Sequence, residues 1–436
     1  MVIKVYDLKN LSGRDVDALC TRNPVYDPEL FNFCRDVFTE VQTRGDEAVA
    51  EYTLKYDHVE LADCRVDAEE FHNAAKLVPQ ELNSALELAA RNIRKFHSSQ
   101  KLTTNPVEVQ EGVTCWRAAR AIESVGLYVP GGTAVLPSTV LMLGIPAVLA
   151  GCSKVALTVP PLRDGTVSPA VLAAARIAGV RQVFKIGGAQ AIAALSLGTE
   201  TVPRVDKILG PGNRIVQMAK LVATLQGTAI DMVAGPSEVL VIADKTADPQ
   251  VIASDLLSQA EHDKDSQVVL VTTARELVDP VQEALAEQLS RLPRREIAEA
   301  ALSRSYIVTA ETLEEAISFS NDYAPEHLIL LFENAVEHSS QVRSAGSVFV
   351  GRWTPEVAGD YVSGTNHTLP TSGAARAFSG VSLDSYVKKL TFQEISKQGL
   401  SDLSDPLRLL AREEDLEGHA NAVTTRLDLI SQGEEQ

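Results

Sequence analysis

Aromatic residues are scarce in this chain, at 5% of the composition, so its core has to be built from Leu, Val, Ile and Ala. The total hydrophobic content of 45% is enough for a sizeable one. Long apolar runs are missing too. A membrane-spanning helix needs about 20 mostly apolar residues; the longest candidate, Val140 to Ala150, is shorter and is broken by Gly144 and Pro146. The start, MVIKVYDLKN, lacks a charged segment followed by an apolar stretch, so it does not read as a signal peptide. The expectation is a soluble cytoplasmic protein. Positive charge is in deficit, with a formal net charge of −18. A field of that sign repels nucleic acid and argues against a general DNA- or RNA-binding role. Cysteines are few: Cys20, Cys34, Cys64, Cys115 and Cys152 are scattered without CxxC spacing. That distribution fits free thiols, not a disulfide framework. Cys115 and Cys152 lie near the Gly-rich region, but a buried inert thiol is the simpler reading of each. There is no GxGxxG after the first strand and no HExxH, so neither the usual dinucleotide fingerprint nor the zinc-protease signature is present.

At roughly 100–200 residues per domain, the 436 residues suggest two to four domains. Residues 1–25 read as an arm. From Pro28 to Tyr56, Leu30, Phe31, Cys34, Val37, Phe38 and Val41 recur at helical spacing, as do Leu82, Leu86, Ala89 and Ile93 between Pro79 and His97. The pattern then changes. Apolar strands at 124–132, 154–161, 182–188 and 205–213 alternate with helices at 143–151, 168–179 and 189–199. A second alternating block runs from EVLVIAD (238–244) to AGSVFVG (345–351). This is the grammar of parallel sheets covered by helices, in which ligands bind beyond the carboxyl ends of the strands. The tail after Ser382 is polar and mostly helical, with KKLTFQEIS in extended or turn form.

Four Gly-rich turns stand out: VPGG (129–132), KIGG (185–188), LGPGN (209–213) and VAGPS (233–237). Glycine lets backbone N–H groups approach a phosphate or carboxylate. One such turn is unremarkable, but four at successive strand ends point to a nucleotide or another anion. Gln259 and His262 share one helix face, a spacing common in metal sites, though a solvent-facing helix end and Glu261 as the ligand stay open. PEH (325–327) opens an apolar strand with a carboxylate beside an imidazole, the pair that general acid–base chemistry needs. The polar loop GDYVSGTNHTLPTSG (359–373) offers Asp360 and His367. His419 in EGHANAV reads by itself as a surface histidine.

Together these segments resemble the histidinol dehydrogenases. The resemblance spans about residues 25–425 and is carried by GLYVPGGTAVLPSTVLM (126–142), KIGGAQAIAALSLGT (185–199), ILGPGNRIV (208–216), MVAGPSEVLVIAD (232–244), LLSQAEHD (256–263), NDYAPEH (321–327) and AGDYVSGTNHTLPT (358–371). It implies an α/β fold of two Rossmann-like parallel-sheet domains. Residues 26–125 with 239–381 would form the first, 126–238 would be inserted as the second, and 382–436 would be a helical tail domain. It implies one zinc per subunit, held by Gln259, His262, Asp360 and, from the other subunit of a homodimer, His419. Ser237 and Glu414 would hold L-histidinol together with the zinc ligands and His327, and Tyr128, Gln190 and Asn213 would contact NAD. Glu326 and His327 would act as bases in two successive oxidations; His367 would line the site without an assigned role. Other readings are a related zinc- and NAD-dependent alcohol dehydrogenase, a metal-dependent hydrolase using Glu326, and a ligand-binding protein on the same scaffold.

Overall fold

Segments such as VLVIA (239–243), VVLV (268–271) and LILL (328–331) are apolar at every position, and this suits strands buried on both faces of a parallel sheet. In the computed structural model, which describes residues 3–22, 27–131, 135–232 and 235–432, they are just that. The first sheet has six parallel strands in the order Lys4–Asp7, Tyr306–Thr309, Gln267–Thr272, Glu238–Ala243, His327–Leu331, Ser347–Val350. The second has five, ordered Gln182–Lys185, Lys154–Val159, Ser124–Tyr128, Lys207–Leu209, Ala229–Ile230. Counted from the first strand of each block, both run third, second, first, fourth, fifth. The α/β class with two parallel sheets is therefore as expected. No helix among the described residues is long and apolar enough to cross a membrane.

Helix boundaries follow local chemistry. Pro137, Pro169 and Pro249 open helices at the position where a missing N–H costs nothing, and Gly151 and Gly179 close two of them in left-handed conformation.

Three expected boundaries shift. Residues 1–25 are not merely an arm: Lys4–Asp7 is an edge strand of the first sheet, and Gly13–Cys20 is a helix started by a Ser12–Asp15 capping box. The helices between 28 and 98, assigned to the first sheet's domain, cover the second sheet instead. Cys34, Val37 and Phe38 pack with Ile192 and Val216, and Leu86, Ala89 and Ile93 with Leu141 and Leu172. An apolar stripe specifies that a helix must be covered, not by which sheet. Finally, residues 101–121 separate from the first domain. The chain divides into one unit of Met1–Gln100 with Ile122–Tyr386 and another of Lys101–Ala121 with Val387–Gln436. The second unit is not purely helical. It has an antiparallel sheet of Val107–Gln110, Val113–Ala121 and Val387–Ile395, with Trp116 stacked on Phe392 at 5.4 Å, followed by helices Lys397–Glu413 and Glu417–Ser431. Strand Val113–Ala121 pairs with Val387–Ile395, far away in the sequence, so local pattern could not assign this segment.

Candidate active site

Within the first unit, both sheets contribute to the walls of a cleft of about 1550 Å³. The second sheet presents its carboxyl ends. Pro130 and Gly131 follow Ser124–Tyr128, and Gly210 to Asn213 follow Lys207–Leu209. The first sheet presents its amino ends, with Ser237 and Glu238, Gln267, and Glu326 and His327 each at a strand start. Helix polarity follows. Arg214–Leu225 starts at the cleft, capped by Asn213, whose side-chain oxygen accepts the Val216 N–H at 3.1 Å. Its positive end suits an anion. Pro249–Ala260 instead ends at the cleft, just before His262, and its negative end suits a cation.

The Gly210 loop is fixed from behind. Gly210 has φ +133°, and a Cβ there would come within 2.1 Å of the Tyr128 carbonyl oxygen. Its N–H donates to Asp231 Oδ2 at 2.8 Å, and its carbonyl accepts from Lys220 Nζ at 2.9 Å. Lys220 and Asp231 form an ion pair with side chains only 1% exposed.

On the opposite wall, Ala324 takes a left-handed turn (φ 52°) into Pro325, Glu326 and His327. His327 Nδ1 lies 3.0 Å from the Glu238 carbonyl, which can only accept, so the ring proton sits on Nδ1 and Nε2 keeps its lone pair. Nε2 is buried without a hydrogen-bond partner, 3.7 Å from Asp360 Oδ1. Glu326 Oε2 accepts the Glu238 N–H at 2.9 Å. The short helix Glu356–Tyr361 sets Glu356 and Asp360 four residues apart on one face. Burial raises the pKa of Glu326 and Glu356 well above the usual carboxyl range, with neighbouring carboxylates adding to it. Burial lowers His327 to about 4. His262 is reached by solvent but walled in by the cleft, and desolvation lowers its pKa as well.

This is an electrostatically incomplete arrangement. Gln259 Oε1, Glu356 Oε1 and His327 Nε2 are buried acceptors without partners, each costing about 1–3 kcal/mol if left so. Ligating atoms of His327, Glu356 and Asp360 all lie within 4.8 Å of one another. Imidazoles and carboxylates at this wall, with the Gln259 amide beside His262, are donor types that fit a divalent cation such as zinc.

A family model for histidinol dehydrogenase matches residues 21–427. A histidinol dehydrogenase from Bacteroides thetaiotaomicron is 52% identical over 401 residues, covering 92% of this chain and 94% of that one. The Escherichia coli K12 enzyme of the same name is 49% identical over 399 residues, 91% of each chain. The crystal structure of histidinol dehydrogenase from Elizabethkingia anophelis superposes with a TM-score of 0.95 at 48% identity, covering 98% of this chain and 99% of that one. The chain belongs to the histidinol dehydrogenase family.

The resemblance carried by the seven motifs is thus borne out. As for the individual residues that it nominated, the fold gathers Ser237, His262, Glu326, His327 and Asp360 on one side of the cleft and Asn213 on the other. Gln259 is fully buried, its amide nitrogen 2.9 Å from His262 Nδ1. Tyr128 and Gln190 are buried and are not part of the cleft wall; the Tyr128 hydroxyl accepts the Gly188 N–H at 3.2 Å. Glu414 and His419 are exposed in the second unit, at the end of one helix and in the first turn of the next. His367 is a strut: Nδ1 donates to the Asp360 carbonyl at 2.9 Å, and Nε2 meets Thr139 Oγ1 at 3.2 Å. Gly132 of VPGG and residues 233–234 of VAGPS lie outside the described residues. Sequence reasoning missed Glu356, although PEVAGD holds its i, i+4 spacing to Asp360 in plain view. Glu238, whose backbone binds both Glu326 and His327, carries no local signal either.

Proposed function

We propose that this histidinol dehydrogenase family member, acting in the cytoplasm as a homodimer, oxidises L-histidinol through L-histidinal to L-histidine, passing one hydride to each of two NAD molecules. The observation that carries the reading is the lone pair on His327 Nε2, held in acceptor form and unpartnered at a cleft wall rich in carboxyls. NAD would lie against the Gly210–Asn213 wall, where a helix start favours its pyrophosphate. The cationic amino alcohol would lie against the other wall, held by Ser237, with Glu414 of a second copy completing the pocket. Zinc would be held by Gln259, His262 and Asp360 with His419 from that second copy. When bound, it supplies positive charge that orients the substrate and favours ionised carboxyls around it.

His327 Nε2 takes the hydroxyl proton as hydride leaves the carbinol carbon for NAD. Between steps the imidazolium returns its proton to solvent, a release favoured by the burial that holds its pKa near 4. Glu326 takes a proton from water as it adds to the aldehyde. His327 then accepts a hydroxyl proton of the hydrate as the second hydride leaves, and the carboxylate results. Two NADH formed per L-histidinol consumed is the expected stoichiometry; one, or none with metal-replete protein, refutes the proposal. Glu326→Gln should slow oxidation of L-histidinal by about 100-fold or more and that of L-histidinol much less. Zinc content measured by elemental analysis should drop in Asp360→Ala.

A further inference from the structure

We infer that Arg22 and Glu238 are positioning residues for proton transfer: their ion pair clamps a residue, Glu238 itself, whose backbone holds both Glu326 and His327. This rests on reading those two as the bases. Glu238 donates its N–H to Glu326 Oε2 at 2.9 Å and accepts His327 Nδ1–H on its carbonyl at 3.0 Å. Its own carboxylate is held in turn. Oε1 accepts Arg22 Nε at 2.9 Å and the Ser372 N–H at 3.0 Å, and Oε2 accepts Arg22 Nη2 at 3.1 Å.

The other side of the guanidinium grips the approach to the same bases. Arg22 Nη2 donates to the Tyr323 carbonyl at 2.6 Å, and the guanidinium lies 3.7 Å from the centre of the Tyr323 ring. Tyr323 ends the helix that turns through Ala324 and Pro325 into Glu326. One planar cation therefore ties both ends of the arrangement, the peptide that receives the His327 proton and the turn that delivers the ring. Its side chain is 10% exposed and that of Glu238 3%. A buried pair of this kind is often replaceable by apolar side chains without loss of stability, so its use here is directional. Drift of the Glu238 carbonyl would release Nδ1–H and with it the tautomer that leaves Nε2 basic.

The test is the double variant Arg22→Met with Glu238→Leu, which removes both charges and leaves neither buried alone. In the full, metal-loaded protein, kcat should fall roughly 10- to 100-fold for both oxidations, the usual cost of losing a supporting partner, with KM for L-histidinol and NAD unchanged. Nuclear magnetic resonance of isotope-labelled histidine should show Nδ1 protonated at position 327 in the parent and a mixed tautomer in the variant. Wild-type kcat or an unchanged tautomer in the folded variant overturns the inference. If that variant does not fold, Glu238→Gln, which keeps an acceptor but not the charge, decides by the same two measurements. Full activity in His327→Asn would instead sink the reading of His327 as base, and the tautomer measurement would still judge the clamp.

Discussion

The sheet spanning residues 124–230 and the sheet spanning residues 238–350 have the same strand order, yet they meet the cleft with opposite ends. In a parallel sheet each crossover helix starts near a carboxyl end and finishes near an amino end. The second sheet therefore brings a positive helix terminus to the cleft at Arg214, and the first brings a negative one at Ala260. One winding, used in two directions, gives one wall suited to a dinucleotide phosphate and one suited to a metal and an ammonium group. The walls are also held differently. The Gly210 loop is fixed by a buried lysine–aspartate pair, whereas the Glu326–His327 corner is fixed through the peptide of Glu238.

Substitutions on the two walls should separate this division of labour. The largest effect is expected for His327→Asn, with kcat lower by about 100- to 10,000-fold on both L-histidinol and L-histidinal and KM for NAD little changed. Asn213→Ala, opposite, should mainly raise KM for NAD; equal loss of kcat in the two variants would erase the distinction between the walls. Next is Lys220→Met, which strands the Asp231 carboxylate and should cost about 3–5 kcal/mol in urea unfolding. A cost below 1 kcal/mol would mean the Gly210 loop is held by something else.

The pH dependence isolates the first sheet's wall. His327 has a folded pKa of about 4 against 6.5 when unfolded. The unfolded chain therefore binds the extra proton first. In chelator-treated protein, stability should be full above about pH 6.5 and decline as pH falls through the folded value. His327→Asn should flatten that slope, and an identical slope in both proteins would exclude His327 as its source. The smallest effect is expected where the walls meet. Thr139→Val removes the hydroxyl that meets His367 Nε2 and should cost about 1 kcal/mol, read from the thermal midpoint.

Much of this was legible in the chain. Alternating apolar strands and helices, with Gly or Pro at their ends, declared two parallel sheets. The PEH triplet at the start of HLILL placed a carboxylate and an imidazole at a strand start, where the structure has them. The cleft lies beyond the carboxyl ends of one sheet and the amino ends of the other, because the carboxyl-end rule describes a single sheet and not two facing each other. VAGPS was grouped with the turns at strand ends, yet Pro236 and Ser237 immediately precede strand Glu238–Ala243 and so lie at its amino end. Tyr128 and Gln190, which the resemblance assigns to NAD contact, are buried side chains in this structure.

Sequence alone determined the class of fold, most of its alternating strands and helices, and the chemical types available to the site, because these depend on periodicity and on neighbours within a few residues; it placed the start of helix Pro137–Ala150 six residues late and did not mark helix Arg214–Leu225. Only the tertiary structure decided that the helices between 28 and 98 cover the second sheet, that strand 113–121 pairs with 387–395, and that Arg22 grips Glu238 from 216 residues away. Such pairings depend on which surfaces meet once the sheets have formed. The free energy of burying an apolar stripe or pairing a charge is nearly blind to distance along the chain.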